Sequence, residues 1–313
     1  MNTLIITPGQ TNISRYLVRE NNTAYRVRPR LAEMFLHAAE QARNLSNPWQ
    51  IRSIFESNIP RPVREKIKRM LFWNDQPGYM ILLDLPEECC DKNVFAAGLT
   101  SICSLPVSFR GEGGMVIRIK PRRQTAANPS FANAKEFFLH SDLSYSPIPP
   151  DTLIMVVKNI ARNGGGESLF SCVAEIRHLL PSEIYHQLRL PQYYFSAPDH
   201  YIKSANEPLT PLPIITHTEA GLRVRFRLDK IRTESPEAYE AARVFNSMAE
   251  IKKEQVLLPK NSVVLLNQRY VLHGRTEFVP SFTEDDRELL RCYGTISPGK
   301  YENLNDATGE LSY

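Results

Sequence analysis

Two separated stretches carry residues able to do metal chemistry: His140-Ser141-Asp142 in the middle of the chain, and His273 followed by Arg287 near its end. Two imidazoles and one carboxylate can hold Fe(II) on one face of its octahedron, which leaves three positions for a co-substrate and O₂. A guanidinium a short distance beyond the last histidine can clamp the far carboxylate of a 2-oxo acid that chelates the metal. Together these residue types point to oxygen-activating iron chemistry.

The spacing has to be delivered by structure. Residues two apart on a strand point to the same face, so a strand through His140 and Asp142 would aim both at one ion. The triplet by itself is equally compatible with a buried histidine bonded to a nearby aspartate. His217-Thr218-Glu219 is a rival pair, but Ala220-Gly221 and the alternating run Leu222–Leu228 follow it, which reads as a hairpin with Glu219 at an exposed tip. His37 falls in an amphipathic helix, His178 and His186 flank a Leu-Leu-Pro turn, and His200 sits in a Pro-Asp-His-Tyr loop; none has metal-like spacing. His273 ends an apolar strand, Ser262–Leu272, and opens a glycine-containing turn. That position suits a ligand on a barrel rim, and it equally suits a histidine that merely caps the strand.

The first 75 residues read as helical, with apolar residues at helical spacing over Leu31–Ala42 and Arg61–Trp73. Strands are expected at Gly78–Pro86, Gly114–Lys120, Thr152–Lys158, Leu222–Leu228, Ser262–Leu266 and Leu289–Ile296, and one long helix from Pro236 to about Glu254. Short strands with Pro- and Gly-rich turns predict a mainly β protein with flanking helices (α+β), built on a jelly roll. The simplest organisation is a single domain over residues 1–313. Residues 1–75 form a helical N-terminal buttress and 78–297 the jelly-roll core, with a helical insertion at 235–255.

Composition narrows the class. With 42% hydrophobic and 23% charged residues, the 313-residue chain can bury a large core. A net charge of +4, carried by scattered short basic runs such as Lys120–Arg123, gives no nucleic-acid surface. Five cysteines without a CxxC pair argue against a disulfide framework and a zinc ribbon. No signal-peptide pattern and no span of about 18 apolar residues is present, so a soluble, cytoplasmic protein acting on a small molecule is expected.

In order and spacing, the motifs resemble the Fe(II)/2-oxoglutarate-dependent dioxygenases of the taurine dioxygenase and clavaminate synthase-like superfamily, over residues 78 to about 296. Gly78–Pro86 resembles an early strand of that family and His140-Ser141-Asp142 its HxD/E motif. Gly164–Phe170 resembles a glycine turn whose hydroxyl, here Ser168, meets the oxo acid. Ile215–Gly221 resembles a structural hairpin, Asn267–Thr276 the distal-histidine signature, and Arg287–Arg291 the closing strand. The resemblance implies a double-stranded β-helix fold, Fe(II) held by His140, Asp142 and His273, and 2-oxoglutarate held by Arg287 and Ser168. It also implies consumption of O₂ with release of succinate and CO₂, and oxidation of an unactivated C–H bond, chiefly by hydroxylation.

Within the superfamily, the amino-acid-oxidising branch is the more similar. There, Arg291 matches a position that holds the substrate carboxylate, and Ser130 a further substrate contact. Glu112 falls where relatives carry glutamine, and Asp142 where many carry glutamate. Halogenating relatives lose the carboxylate ligand, so its retention favours hydroxylation, desaturation or ring closure. Asp229 can meet a cationic side chain, or be a turn residue paired with Arg227, Lys230 or Arg232. The substrate implied is a polar or basic amino acid, free or in a small derivative. The alternatives are a sulfonate, alkyl or carrier-bound substrate on the same fold, a silent jelly-roll binding protein, and a zinc hydrolase, for which no base is marked.

Overall fold

The computed structural model describes residues 13–73, 75–109, 114–123, 133–196, 210–218, 221–300 and 310–311. It is a mixed α+β structure organised by two sheets. The larger has nine strands. In path order they are Leu17–Arg19, Ala24–Val27, Tyr79–Leu83, Ser262–Asn267, Thr152–Asn159, Glu288–Thr295, Leu105–Phe109 and Glu310–Leu311, with Val116–Ile119 paired to Glu288–Thr295 off that path. The smaller has four, in the order Glu254–Val256, Ser168–Cys172, Val271–Arg275 and Phe137–His140.

The strands at the centre of the large sheet read as unbroken apolar runs because both faces are covered. Along Thr152–Asn159, Leu153, Met155 and Val157 enter one core while Ile154 and Val156 enter another. Along Ser262–Asn267, Val264 and Leu266 join the first and Val263 and Leu265 the second. This is the period of two expected of a strand. The first core lies between the sheets and takes in Phe170, Phe226 and Phe245. The second lies under the helices Pro29–Ala42, Pro48–Asn58, Arg61–Phe72 and Asn93–Cys103, through Phe35, Phe55 and Phe95.

Several expected elements change their bounds for identifiable reasons. The N-terminal 75 residues are not wholly helical: Leu17–Arg19 and Ala24–Val27 pair across a turn in which the Asn21 side chain accepts from the backbone N–H groups of Thr23 and Ala24. The long helix runs Pro236–Ile251, capped by Ser235, whose hydroxyl accepts from Ala238 N–H at 3.1 Å. The expected strand Leu222–Leu228 is shorter, Gly221–Val224, because the Phe226 carbonyl accepts from Ser141 N–H while Phe226 N–H donates to the Ser141 hydroxyl, and Leu228–Lys230 closes into a 3₁₀ turn. All five cysteines are buried and free. Among the described residues, no helix is long and apolar enough to cross a membrane.

Candidate active site

Phe137–His140 and Val271–Arg275 are antiparallel neighbours in the four-stranded sheet, and His140 lies directly opposite His273. Their rings stand 4.4 Å apart between centroids. Asp142 reaches them from outside the strand. The strand ends at His140, contrary to the sequence expectation, and Asp142 is delivered by the following turn, where Leu143 takes φ 52°. The ligand atoms of His140, Asp142 and His273 all lie within 4.8 Å of one another.

The polar surroundings suit a cation. His140 Nδ1–H donates to the Phe138 carbonyl at 2.8 Å, which leaves Nε2 as the ring nitrogen facing Asp142 Oδ1, 3.1 Å away. His273 Nε2 is 3.5 Å from Asp142 Oδ2, and its buried Nδ1 has no hydrogen-bond partner among the described residues. Burial, reinforced by His140, lowers the pKa of His273, which favours the neutral form that a metal ligand uses. Burial raises the pKa of the Asp142 carboxyl, but the two histidines outweigh it and hold the group well below the ordinary carboxylate range. Asp142 is fixed further by Tyr293, whose hydroxyl donates to Oδ2 at 2.8 Å, and by its own N–H, which donates to Gln268 Oε1 at 3.1 Å. Such outer contacts orient a ligand and set its basicity.

Arg291 lies beside this group, its Nη1 3.8 Å from Asp142 Oδ2 and its guanidinium 4.6 Å from the centre of the Tyr293 ring. Arg291 and Tyr293, two apart on Glu288–Thr295, share the face of the strand that meets the smaller sheet. Arg287 is buried, and its guanidinium makes no ion pair or hydrogen bond with any described residue. Burial, together with the charge of Arg275, pushes its pKa down to about 9. A buried guanidinium without an acid is a standing demand for an anion. Ser168 is buried at the start of its strand, directly opposite Arg275. Gly166, at φ 76°, passes so near Arg287 that a Cβ there would lie 3.2 Å from its Cδ and Nε.

The other candidates separate from this cluster. Exposed His217 bonds to the Tyr185 hydroxyl at 2.8 Å on the hairpin Ile215–Thr218 and Gly221–Val224, away from the metal group. Arg223 and Arg269 tie that hairpin to buried Asp151. Asp229 is half exposed and takes a two-pronged contact from Arg227, at 2.9 and 3.1 Å, which is the local-pair form of its two expected roles. Ser130, Glu112, His200 and Glu219 lie outside the described residues. Tyr293, Gln268 and Arg275 were missed. The signal for Tyr293 and Arg275 was the two-residue step from Arg291 and from His273, which carries meaning only once those segments are known to be strands; Gln268 had no such signal.

The fold and the site define an Fe(II)/2-oxoglutarate-dependent dioxygenase. Residues 63–293 match the family described as taurine catabolism dioxygenase TauD, TfdA family, and the chain belongs to it. The chain is similar to an L-lysine 3-hydroxylase of Catenulispora acidiphila, with 21% identity over 82% of this chain and 77% of that protein. It is also similar to an L-asparagine oxygenase of Streptomyces coelicolor, with 22% identity over 49% of this chain and 46% of that protein. Among solved structures, an asparagine oxygenase in complex with Fe(II), 2S,3S-3-hydroxyasparagine and succinate superimposes with a TM-score of 0.80 at 16% identity, covering 93% of this chain and 99% of that one. The non-heme iron oxygenase OrfP in complex with Fe and alpha-ketoglutaric acid gives a TM-score of 0.75 at 13% identity, covering 92% of this chain and all of that one (100%).

Proposed function

We propose that this dioxygenase hydroxylates an unactivated C–H bond of a polar or basic amino acid or a small amino-acid derivative. The observation that carries this reading is Arg291, a buried guanidinium 3.8 Å from the metal-binding carboxylate. A cation so close to the reacting centre suits a substrate that presents its own carboxylate there, and a bidentate pair fixes orientation as well as affinity. The two relatives by sequence, a lysine hydroxylase and an asparagine oxygenase, support an amino-acid substrate.

In this reading His140, Asp142 and His273 hold Fe(II), while Arg287 takes the distal carboxylate of 2-oxoglutarate and Ser168 adds a hydrogen bond. Bound there, iron and 2-oxoglutarate supply an oxidant strong enough to break a C–H bond, with succinate and CO₂ as by-products. The protein's own residues position the partners. Tyr293 and Gln268 keep Asp142 oriented, and the Phe138 carbonyl keeps His140 in the ligating tautomer. Burial of the cluster limits access of water. Ser130 and Glu112 are further proposed substrate contacts, and Asp229 would join them by releasing Arg227. The two sheets together form the double-stranded β-helix of a single domain spanning residues 1–313, in which the N-terminal helices serve as a buttress.

The test is an anaerobic titration of Fe(II) and 2-oxoglutarate, following the weak visible charge-transfer band of the chelate, with His273→Ala and Arg287→Ala beside the wild type. The band is expected in the wild type and weakened or lost in both variants. Its absence from well-folded wild-type protein would return the chain to the binding-protein class. A screen of amino acids against sulfonates and thioesters, scored by succinate release, then tests the substrate class. Turnover with thioesters or sulfonates alone would reject the amino-acid reading.

A further inference from the structure

We propose that Arg275 is a second holder of the co-substrate's distal carboxylate, acting with Arg287 as a two-guanidinium clamp that selects 2-oxo diacids over 2-oxo monoacids. The inference rests on the reading that Arg287 meets that carboxylate. It adds a residue whose role the motifs left unassigned.

Arg275 lies two residues after His273 on Val271–Arg275, so in the regular ladder with Ser168–Cys172 the two side chains share a face. Its partner across the ladder is Ser168. The guanidinium is buried, and its Nε and Nη2 donate to the backbone carbonyls of Thr276 and Lys135. That leaves Nη1 without a partner among the described residues. Arg275 and Arg287 both lie against the ring of Phe278, with Cζ 4.8 Å and 5.6 Å from its centroid. Arg275 stands close enough for its charge to oppose that of Arg287.

Neither guanidinium forms an ion pair with an acid among the described residues, and the charge of nearby Asp286 offsets only part of the cost to Arg287. Glu167 is taken by the Thr276 hydroxyl. Asp286 accepts from the N–H groups of Ser281 and Phe282 through one oxygen and of Arg287 through the other. Two buried cations held near each other are costly, and the face of one phenyl ring offsets that only in part. A carboxylate between them turns the repulsion into two charge-assisted contacts. Gly166 and Ser168 border the same space. A methyl group in place of the carboxylate would leave both cations unpaired.

The experiment is calorimetric titration of the Ni(II)-loaded protein, which binds the co-substrate without turning it over. The ligands are 2-oxoglutarate and 2-oxovalerate, which has the same chain length but ends in a methyl group. Arg275→Gln is expected to weaken 2-oxoglutarate by about tenfold or more, the worth of a hydrogen bond to a charged group, while leaving 2-oxovalerate unchanged. Arg275→Lys should recover part of the loss. Equal weakening of both ligands would make Arg275 a purely structural residue and overturn the proposal. So would an unchanged Arg275→Gln beside a weakened Arg287→Gln. If neither variant weakens 2-oxoglutarate selectively, the assignment of Arg287 itself falls. Should Arg275→Gln not fold, Phe278→Leu removes the shared ring and is expected to give the same selective loss. If it leaves the preference for 2-oxoglutarate intact, the clamp is refuted.

Discussion

Tyr293 anchors one oxygen of the carboxylate that the two histidines face, through a bond spanning 151 positions of sequence. Tyr293→Phe removes that hydroxyl and little else. The expected result is a divalent-metal affinity lowered by about tenfold, the lower end of what outer contacts to a ligand are worth. The melting temperature should hardly move. Competitive titration with Co(II) measures the first and a thermal melt the second; an unchanged affinity would mean that the turn alone orients Asp142. The candidate metal-binding group was legible because each member is a chemically marked residue at a marked spacing. Tyr293, Gln268 and Arg275 were not, because their roles come from contacts made only after distant strands have paired. Arg275 in particular reads in sequence as an ordinary strand charge, and its isolation from any acid is visible only in three dimensions.

At the scale of elements, the approach of His140 to His273 depends on an irregularity. Three steps of chain, from Phe137 to His140, face only two, from His273 to Arg275. The surplus residue bulges toward Gly274, where an added Cβ would lie 2.6 Å from the Phe137 carbonyl oxygen and 3.2 Å from Leu139 N. Backbone atoms cannot swing aside as a flexible side chain can. Gly274→Ala is therefore expected to cost about 1–3 kcal/mol of stability. It should also separate the two histidines enough to lower metal affinity well beyond the Tyr293→Phe effect. Denaturant melts and metal titration on one preparation measure both, and a variant with normal metal binding would refute the bulge as a positioning device. The sequence marked the central strands of the large sheet, but it marked no strand over Phe137–His140 and placed His273 in a turn after Ser262–Leu272, whereas His273 lies in the middle of Val271–Arg275. It did not indicate the bulge, nor that Asp142 would sit in a turn rather than in the strand. Those details depend on the pair of bonds between Phe226 and Ser141, one to a carbonyl and one to the serine hydroxyl, which no local pattern records.

For the whole molecule, the large sheet divides two cores with different work. The metal group lies on the side that faces the four-stranded sheet, and the helices cover the other. Alternating side chains of the same strands belong to both, so the helical layer can stiffen the sheet without touching the site. Within that layer, Gly98 on Asn93–Cys103 packs against the Phe55 ring of Pro48–Asn58. A Cβ at Gly98 would come within 2.0 Å of that ring, so the two helices meet only because one presents no side chain. Phe55 is fully buried and its ring also meets that of Phe95, with centroids 6.5 Å apart, which limits its escape. Gly98→Leu should therefore wedge the helices apart at a cost of about 3 kcal/mol, the upper end for overpacking a core. The melting temperature is expected to fall by several degrees. Below that lowered transition, the affinities for Co(II) and 2-oxoglutarate should match those of the wild type, because the disturbed core is across the sheet from the ligands. Thermal melts and titrations at a temperature where both proteins are folded give the comparison. If the affinities fall together with stability, the helices act on the site through the sheet, and the N-terminal layer is part of the catalytic apparatus rather than its support.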